Sequence, residues 1–105
     1  MPFDDPDNPL AIEIRQEMAA TYFAACRKMV DSLKALQQFD RTVASPPREK
    51  RQITRRSQLL EEAIERVHDV VIQRESMKLS GLSEFFEDYG TPNEVRSRLG
   101  TRRRN

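Results

Sequence analysis

From Leu10 to Asp40 the chain contains neither Gly nor Pro. A long stretch without either residue, and poor in β-branched side chains, opposes sheet and favours one continuous helix. One heptad frame fits it. Tyr22, Met29 and Leu36 share a line; Met18, Ala25 and Phe39 share a second; Ile12, Ala19, Cys26 and Leu33 form a third, flanked by Phe23 and Val30. On a helical wheel these lines cover roughly 160°, wider than the ~100° stripe of an ordinary surface helix. Such an arc predicts that the first helix touches two neighbours. Asn8-Pro9 supplies its start, with Asn as N-cap and Pro at the first helical position.

Residues 41–47 break the pattern, and Ser45-Pro46-Pro47 reads as a turn followed by a new helix start. The second helix carries Ile53, Leu60 and Val67 on one line, Ile64 and Val71 on the next, and Ala63, Val70 and Met77 beside them. Its apolar arc is roughly 120°. The two helices are expected at about 9–40 and 46–79, each roughly 45–48 Å long at 1.5 Å per residue. Equal lengths and a short connection predict an antiparallel helical hairpin. The expected fold is therefore all-α.

Gly81 is expected to end the second helix. Ser83 is a candidate cap for a turn through Phe85, Phe86 and Tyr89, with Gly90 as its stop. Thr91-Pro92-Asn93-Glu94 has the form of a helix entry: Thr cap, Pro at the first position, Glu three residues after the cap. A short helix from Pro92 to Leu99 follows, closed by Gly100. The expected organisation is an acidic arm over 1–8, the hairpin over 9–79, one or two short helices over 80–100, and a basic, disordered tail over 101–105.

A chain of 105 residues makes one domain at most. It buries only about two-thirds of its unfolded surface, so a lone core is thin. The uncovered part of the first helix's arc would leave a large apolar patch, which soluble monomers avoid. Self-association is therefore expected, most simply as a four-helix dimer, through Met18, Tyr22, Phe23, Met29, Val30, Leu33 and Leu36.

A single Cys, Cys26, precludes an internal disulfide, and its apolar helical setting reads as core. No apolar run approaches the ~18 residues of a membrane span. The mixed-sign polar faces also differ from the basic face of an interfacial helix, so no membrane partner is expected. The acidic, Pro-containing opening is the opposite of a secretory signal, and the chain reads as cytoplasmic.

The net charge is only +1, yet the charges are segregated. Residues 1–17 hold Asp4, Asp5, Asp7, Glu13 and Glu17 against Arg15; residues 48–56 hold Arg48, Lys50, Arg51, Arg55 and Arg56 against Glu49. Residues 57–95 are acidic again, and residues 96–105 carry five Arg and no acid. In a hairpin the basic cluster lies at the loop end and the acidic arm at the open end. Bases at a helix start oppose its dipole at about 0.3–1 kcal/mol each, so solvation, Asp40 or an acidic partner must offset them.

Nucleic acid is the alternative partner for the basic segments 48–56 and 96–104. It is not favoured, because neither run contains an aromatic side chain to stack on bases and the net charge is near zero. Residues 82–99 superficially read helix, Gly-turn, helix. Thr91 stands where a helix-turn-helix needs an apolar residue, and the second helix is very short.

Glu65-Arg66-Val67-His68 is a Glu-x-x-His pair one turn apart, with Glu61 and Glu62 nearby. Ferritin-like di-iron sites use that pair with a Glu from each facing helix. A small helical hairpin carrying it is similar in outline to the encapsulated ferritins, which build their sites between subunits. Here the pair falls outside the apolar arc, and the first helix has no Glu between 18 and 40. A solvated His with a local ion pair is the preferred reading; no metal or cofactor is expected. With one His, no Gly-rich phosphate loop and no paired thiols, no catalytic residues are assigned and no enzyme activity is expected.

The sequence thus predicts a small non-catalytic interaction protein: an adaptor, regulatory or assembly subunit. Its partner-binding candidates are the basic end (Arg48, Lys50, Arg51, Arg55, Arg56) and the C-terminal segment. In that segment Phe85, Phe86 and Tyr89 are candidate anchors, and Arg102, Arg103 and Arg104 candidate steering charges. Packing of the three aromatics onto their own hairpin is the competing and somewhat favoured reading.

Overall fold

Asn8 caps the first helix as predicted: its side-chain oxygen accepts from the amides of Leu10 and Ala11 at 2.9 and 3.4 Å. Pro9 follows at the first helical position, where a missing N–H costs nothing. The computed structural model describes residues 8–43 and 47–103. Within them α1 spans Pro9–Thr42, α2 Lys50–Ser76, α3 Leu82–Asp88 and α4 Asn93–Arg103. No strand occurs among the described residues. The acidic arm ahead of Asn8, Ser45, Pro46 and Arg104 lie outside them.

Two polar pairs set how α1 lies against α2. Arg56 meets Asp40 near the connection, and Arg74 meets Tyr22 toward the open end. Counting from Tyr22 toward Asp40 in alternating steps of four and three gives Cys26, Met29, Leu33 and Leu36. Counting back from Arg74 toward Arg56 in the same steps gives Val70, Val67, Ala63 and Leu60. All of these are buried. The helices are antiparallel and in step, with Cys26 level with Val70, Met29 with Val67, Leu33 with Ala63, and Leu36 with Leu60. Steps of four and three are the spacing of a coiled-coil seam. Met29 meets the smaller Val67 and Leu33 the smaller Ala63, while Leu36 meets Leu60. Each fully buried Leu, Val or Met contributes about 1.5–3 kcal/mol. An arginine closes the seam at either end.

The neighbour pattern differs from the sequence expectation. α2, not α1, is the helix with two neighbours, packing against both α1 and α4. Beyond the seam α2 also buries Leu59, Ile64 and Val71, in one cluster with Phe85, Phe86, Val95 and Leu99 of the C-terminal segment. The narrower arc is thus shared by two partners. On α1, Ala11 is the only buried residue before Cys26. The reason is length: α1 has 34 residues and α2 has 27. In the seam register Ser76 stands level with Ala20, so the first turns of α1 run past the end of α2. The molecule measures 59 × 24 × 23 Å.

Several boundaries move. α2 begins at Lys50 rather than about 46; Glu49 takes the cap position with extended backbone, and Pro47 and Arg48 belong to the connection. α2 also ends before Gly81. Lys78 adopts a left-handed φ of 58°. Its amide donates to the Glu75 carbonyl at 3.1 Å, and the Leu79 amide to the Arg74 carbonyl at 2.9 Å. This is a Schellman closure with lysine where glycine is usual. Gly81, at φ 77°, instead precedes α3, its carbonyl accepting from Phe85 at 3.0 Å. Ser83 lies inside α3 and is not its cap.

Gly90 stops α3 as predicted, at φ 62°, with the Thr91 amide donating to the Phe86 carbonyl at 2.9 Å. The predicted Thr91 cap of α4 does not form. The Pro92 carbonyl accepts from Val95 and Arg96, each at 3.0 Å, so the helix starts one residue later. The Thr91 hydroxyl is buried without a hydrogen-bond partner, and Glu94 turns toward Arg56. α4 continues through Gly100 to Arg103, against the expected structureless tail, because Gly100 does not adopt the left-handed turn that ends a helix.

Candidate interaction surface

The basic end divides into a bound part and a free part. Arg56 leaves α2 and donates to both oxygens of Asp40, Nε to Oδ1 at 2.9 Å and Nη2 to Oδ2 at 3.1 Å. The same guanidinium reaches α4, donating to the Glu94 carboxylate at 3.2 and 3.0 Å. Hydrogen bonds donated to Asp40, then to Glu94, hold Arg56 protonated more firmly than a free arginine. Arg56 is thus a tie among three helices, not a charge free for a partner.

Arg48, Lys50, Arg51 and Arg55 remain exposed. Arg51 lies 3.8 Å from Glu49, with both side chains largely in solvent, a pairing of small energy. α2 has no acid in its first turn and no side-chain cap bond, so these bases sit at the positive pole of its dipole with only the exposed Glu49 at the cap position beside them. Ile53, 52% exposed, lies in the same stretch of α2 on the face away from Arg51 and Arg55.

The C-terminal aromatics separate in the same way. Phe85 and Phe86 are buried, which corrects their candidacy as free anchors. The Arg74 guanidinium lies over the Phe85 ring at 4.4 Å, and Arg96 over Phe86 at 4.9 Å. Arg74 also donates to the Tyr22 hydroxyl at 2.9 Å and to the Ser80 carbonyl at 2.7 Å. Burial pushes the Tyr22 phenol above its ordinary value, against the opposing pull of Arg74. Arg98 pairs with Glu61 across α4 and α2. Each end arginine of the seam therefore also holds the C-terminal segment. Tyr89 stays exposed, its ring 4.7 Å from Phe85. With Pro92 it walls a cleft of about 570 Å³ over Val30, Leu33 and Leu36. Arg102 and Arg103 lie in the last turn of α4.

Of the residues expected to mediate self-association, Met29, Leu33 and Leu36 are buried within the chain, and Tyr22 and Val30 are half-buried. Their burial by α2 removes the first three as surface contacts. Met18 and Phe23 remain exposed, Phe23 at 66%. The sequence reading missed Leu10 and Ile14, which with Ile12 are exposed in the projecting turns of α1. The signal for them was helix length: a Gly-free α1 outlasting α2 leaves its early apolar residues uncovered.

Glu65 is exposed and His68 half-buried. No three His, Cys, Asp or Glu side chains among the described residues gather at metal-binding distance. Cys26 is a buried free thiol. Among the described residues no helix is long and apolar enough to cross a membrane. No family model, curated protein or solved structure matches the chain.

Proposed function

We propose that this chain is a small non-catalytic helical assembly or adaptor protein that self-associates. Its self-association surface is the projecting first part of α1, and its charged contact is the free basic end. The observation that carries the reading is the run of exposed Leu10, Ile12, Ile14 and Met18 on turns that outreach α2. Removing such side chains from water drives association at about 25 cal/mol per Å². The partner-binding set is narrowed to Arg48, Lys50, Arg51, Arg55, Tyr89, Arg102, Arg103 and Arg104, because Arg56, Phe85 and Phe86 serve the fold.

The test is light scattering on the wild type and on an Ile14→Glu/Met18→Glu variant. Neither side chain is buried, so the helix content by circular dichroism should be unchanged. The wild type should be an oligomer and the variant a monomer. A monomeric wild type, or a variant of unchanged mass, overturns the reading.

A further inference from the structure

The geometry points to the occupant of the basic end: a second copy of this chain, lying antiparallel, so that the acidic projecting turns of each copy meet the basic loop end of the other. This rests on the self-association proposed above and adds its orientation. The molecule is a rod with opposite charge at its two ends. Glu13 and Glu17, one turn apart, are exposed on one face of the projecting end of α1, with Arg15 the one base between them in sequence. Lys50, Arg51 and Arg55 are exposed at the other end. Within their own chain Asp40 is committed to Arg56, and Glu49, 3.8 Å from Arg51, pairs with these bases only in solvent.

Each end also carries exposed apolar side chains: Leu10, Ile14 and Met18, one turn apart on one face of the projecting turns, and Ile53 in the first turn of α2. An antiparallel pair brings these two ends together twice, once at each extremity. A two-fold axis across the rod makes the interface isologous and closed. A parallel pair sets acid on acid and base on base. Opposite charges facing each other would favour the antiparallel register and speed encounter.

Within one chain Glu13 and Lys50 lie near opposite ends of the 59 Å rod, roughly 50 Å apart at 1.5 Å per residue along α1. A zero-length carbodiimide cross-link between Lys50 and Glu13 or Glu17 therefore reports two chains. An equal mixture of ¹⁵N-labelled and unlabelled protein, cross-linked and digested, should give mixed-isotope peptides joining these residues. Separately, Glu13→Lys/Glu17→Lys and Lys50→Glu/Arg51→Glu should each weaken the dimer about tenfold or more at low salt. The chain carrying all four changes should recover wild-type affinity.

A dimer without the Lys50–Glu13 or Lys50–Glu17 link, or a four-change chain as weak as either parent, overturns the antiparallel orientation and leaves self-association standing. Mass that grows without limit overturns the closed pair in favour of end-to-end stacking. A wild type monomeric at all concentrations overturns both.

Discussion

The guanidinium of Arg56 grips both carboxylate oxygens of Asp40, at 2.9 and 3.1 Å, while bonding to Glu94 of a third helix. It occupies the last step of the α1–α2 seam, where the apolar series ends. A lone surface ion pair is worth about 0.2–1 kcal/mol. A bidentate, two-carboxylate tie with a side chain only 25% exposed should be worth more. Arg56→Ala is expected to cost about 1–2 kcal/mol in urea unfolding. A double-mutant cycle with Glu94→Ala should show coupling of about 0.5 kcal/mol or more. Additive losses would show that α4 is not held through this arginine.

Tyr22 and Arg74 close the other end. Tyr22 is raised above the ordinary phenol value of 10.0, chiefly by burial. A raised folded value means that the unfolded chain releases the proton first. The contribution is complete below pH 10.0 and is lost as pH rises through the folded value. In a Tyr89→Phe variant, where Tyr22 is the remaining tyrosine, ultraviolet titration should give a midpoint above 10.0. Tyr22→Phe should weaken the alkaline loss of stability and cost about 1 kcal/mol at neutral pH, since it removes an acceptor from Arg74.

Lys78 holds the left-handed position that ends α2, at φ 58°, and is exposed. Lys78→Gly should raise stability by about 0.5–1 kcal/mol by relieving the Cβ clash. Lys78→Ala, which keeps the Cβ, should give no such gain. Thermal unfolding of the two variants side by side decides it.

Met29 is fully buried at the middle of the seam, and Phe23, six residues earlier on the same helix, is mostly exposed. Met29→Ala should cost about 2–5 kcal/mol. Phe23→Ala, measured in dilute protein, should stay within about 0.5 kcal/mol of the wild type. Equal losses would contradict the seam register.

The hairpin was legible because period, caps and breakers agree over long stretches: Asn8-Pro9 opened α1, and the Gly-free heptad run named the seam residues. The C-terminal segment was less legible because its residues have two possible uses. Thr91 and Glu94 have the spacing of a helix cap, but tertiary demand from Arg56 takes Glu94, and the Thr91 amide is spent on Phe86. Lys78 carries no sequence sign of its left-handed turn, so Gly81 drew the boundary too late. Arg56 looked like one base in a basic cluster; only its place in the register with Asp40 reveals it as a tie. The exposed apolar set was partly misassigned because the wheel of α1 shows which residues are apolar, not how far α2 extends to cover them.

Self-association through the uncovered turns of α1 is the claim on which the function rests, and sedimentation equilibrium over a wide concentration range tests it most directly. The account predicts a closed species of twice the 12.3 kDa chain mass at high concentration, dissociating on dilution. A single 12.3 kDa species at every concentration would contradict it.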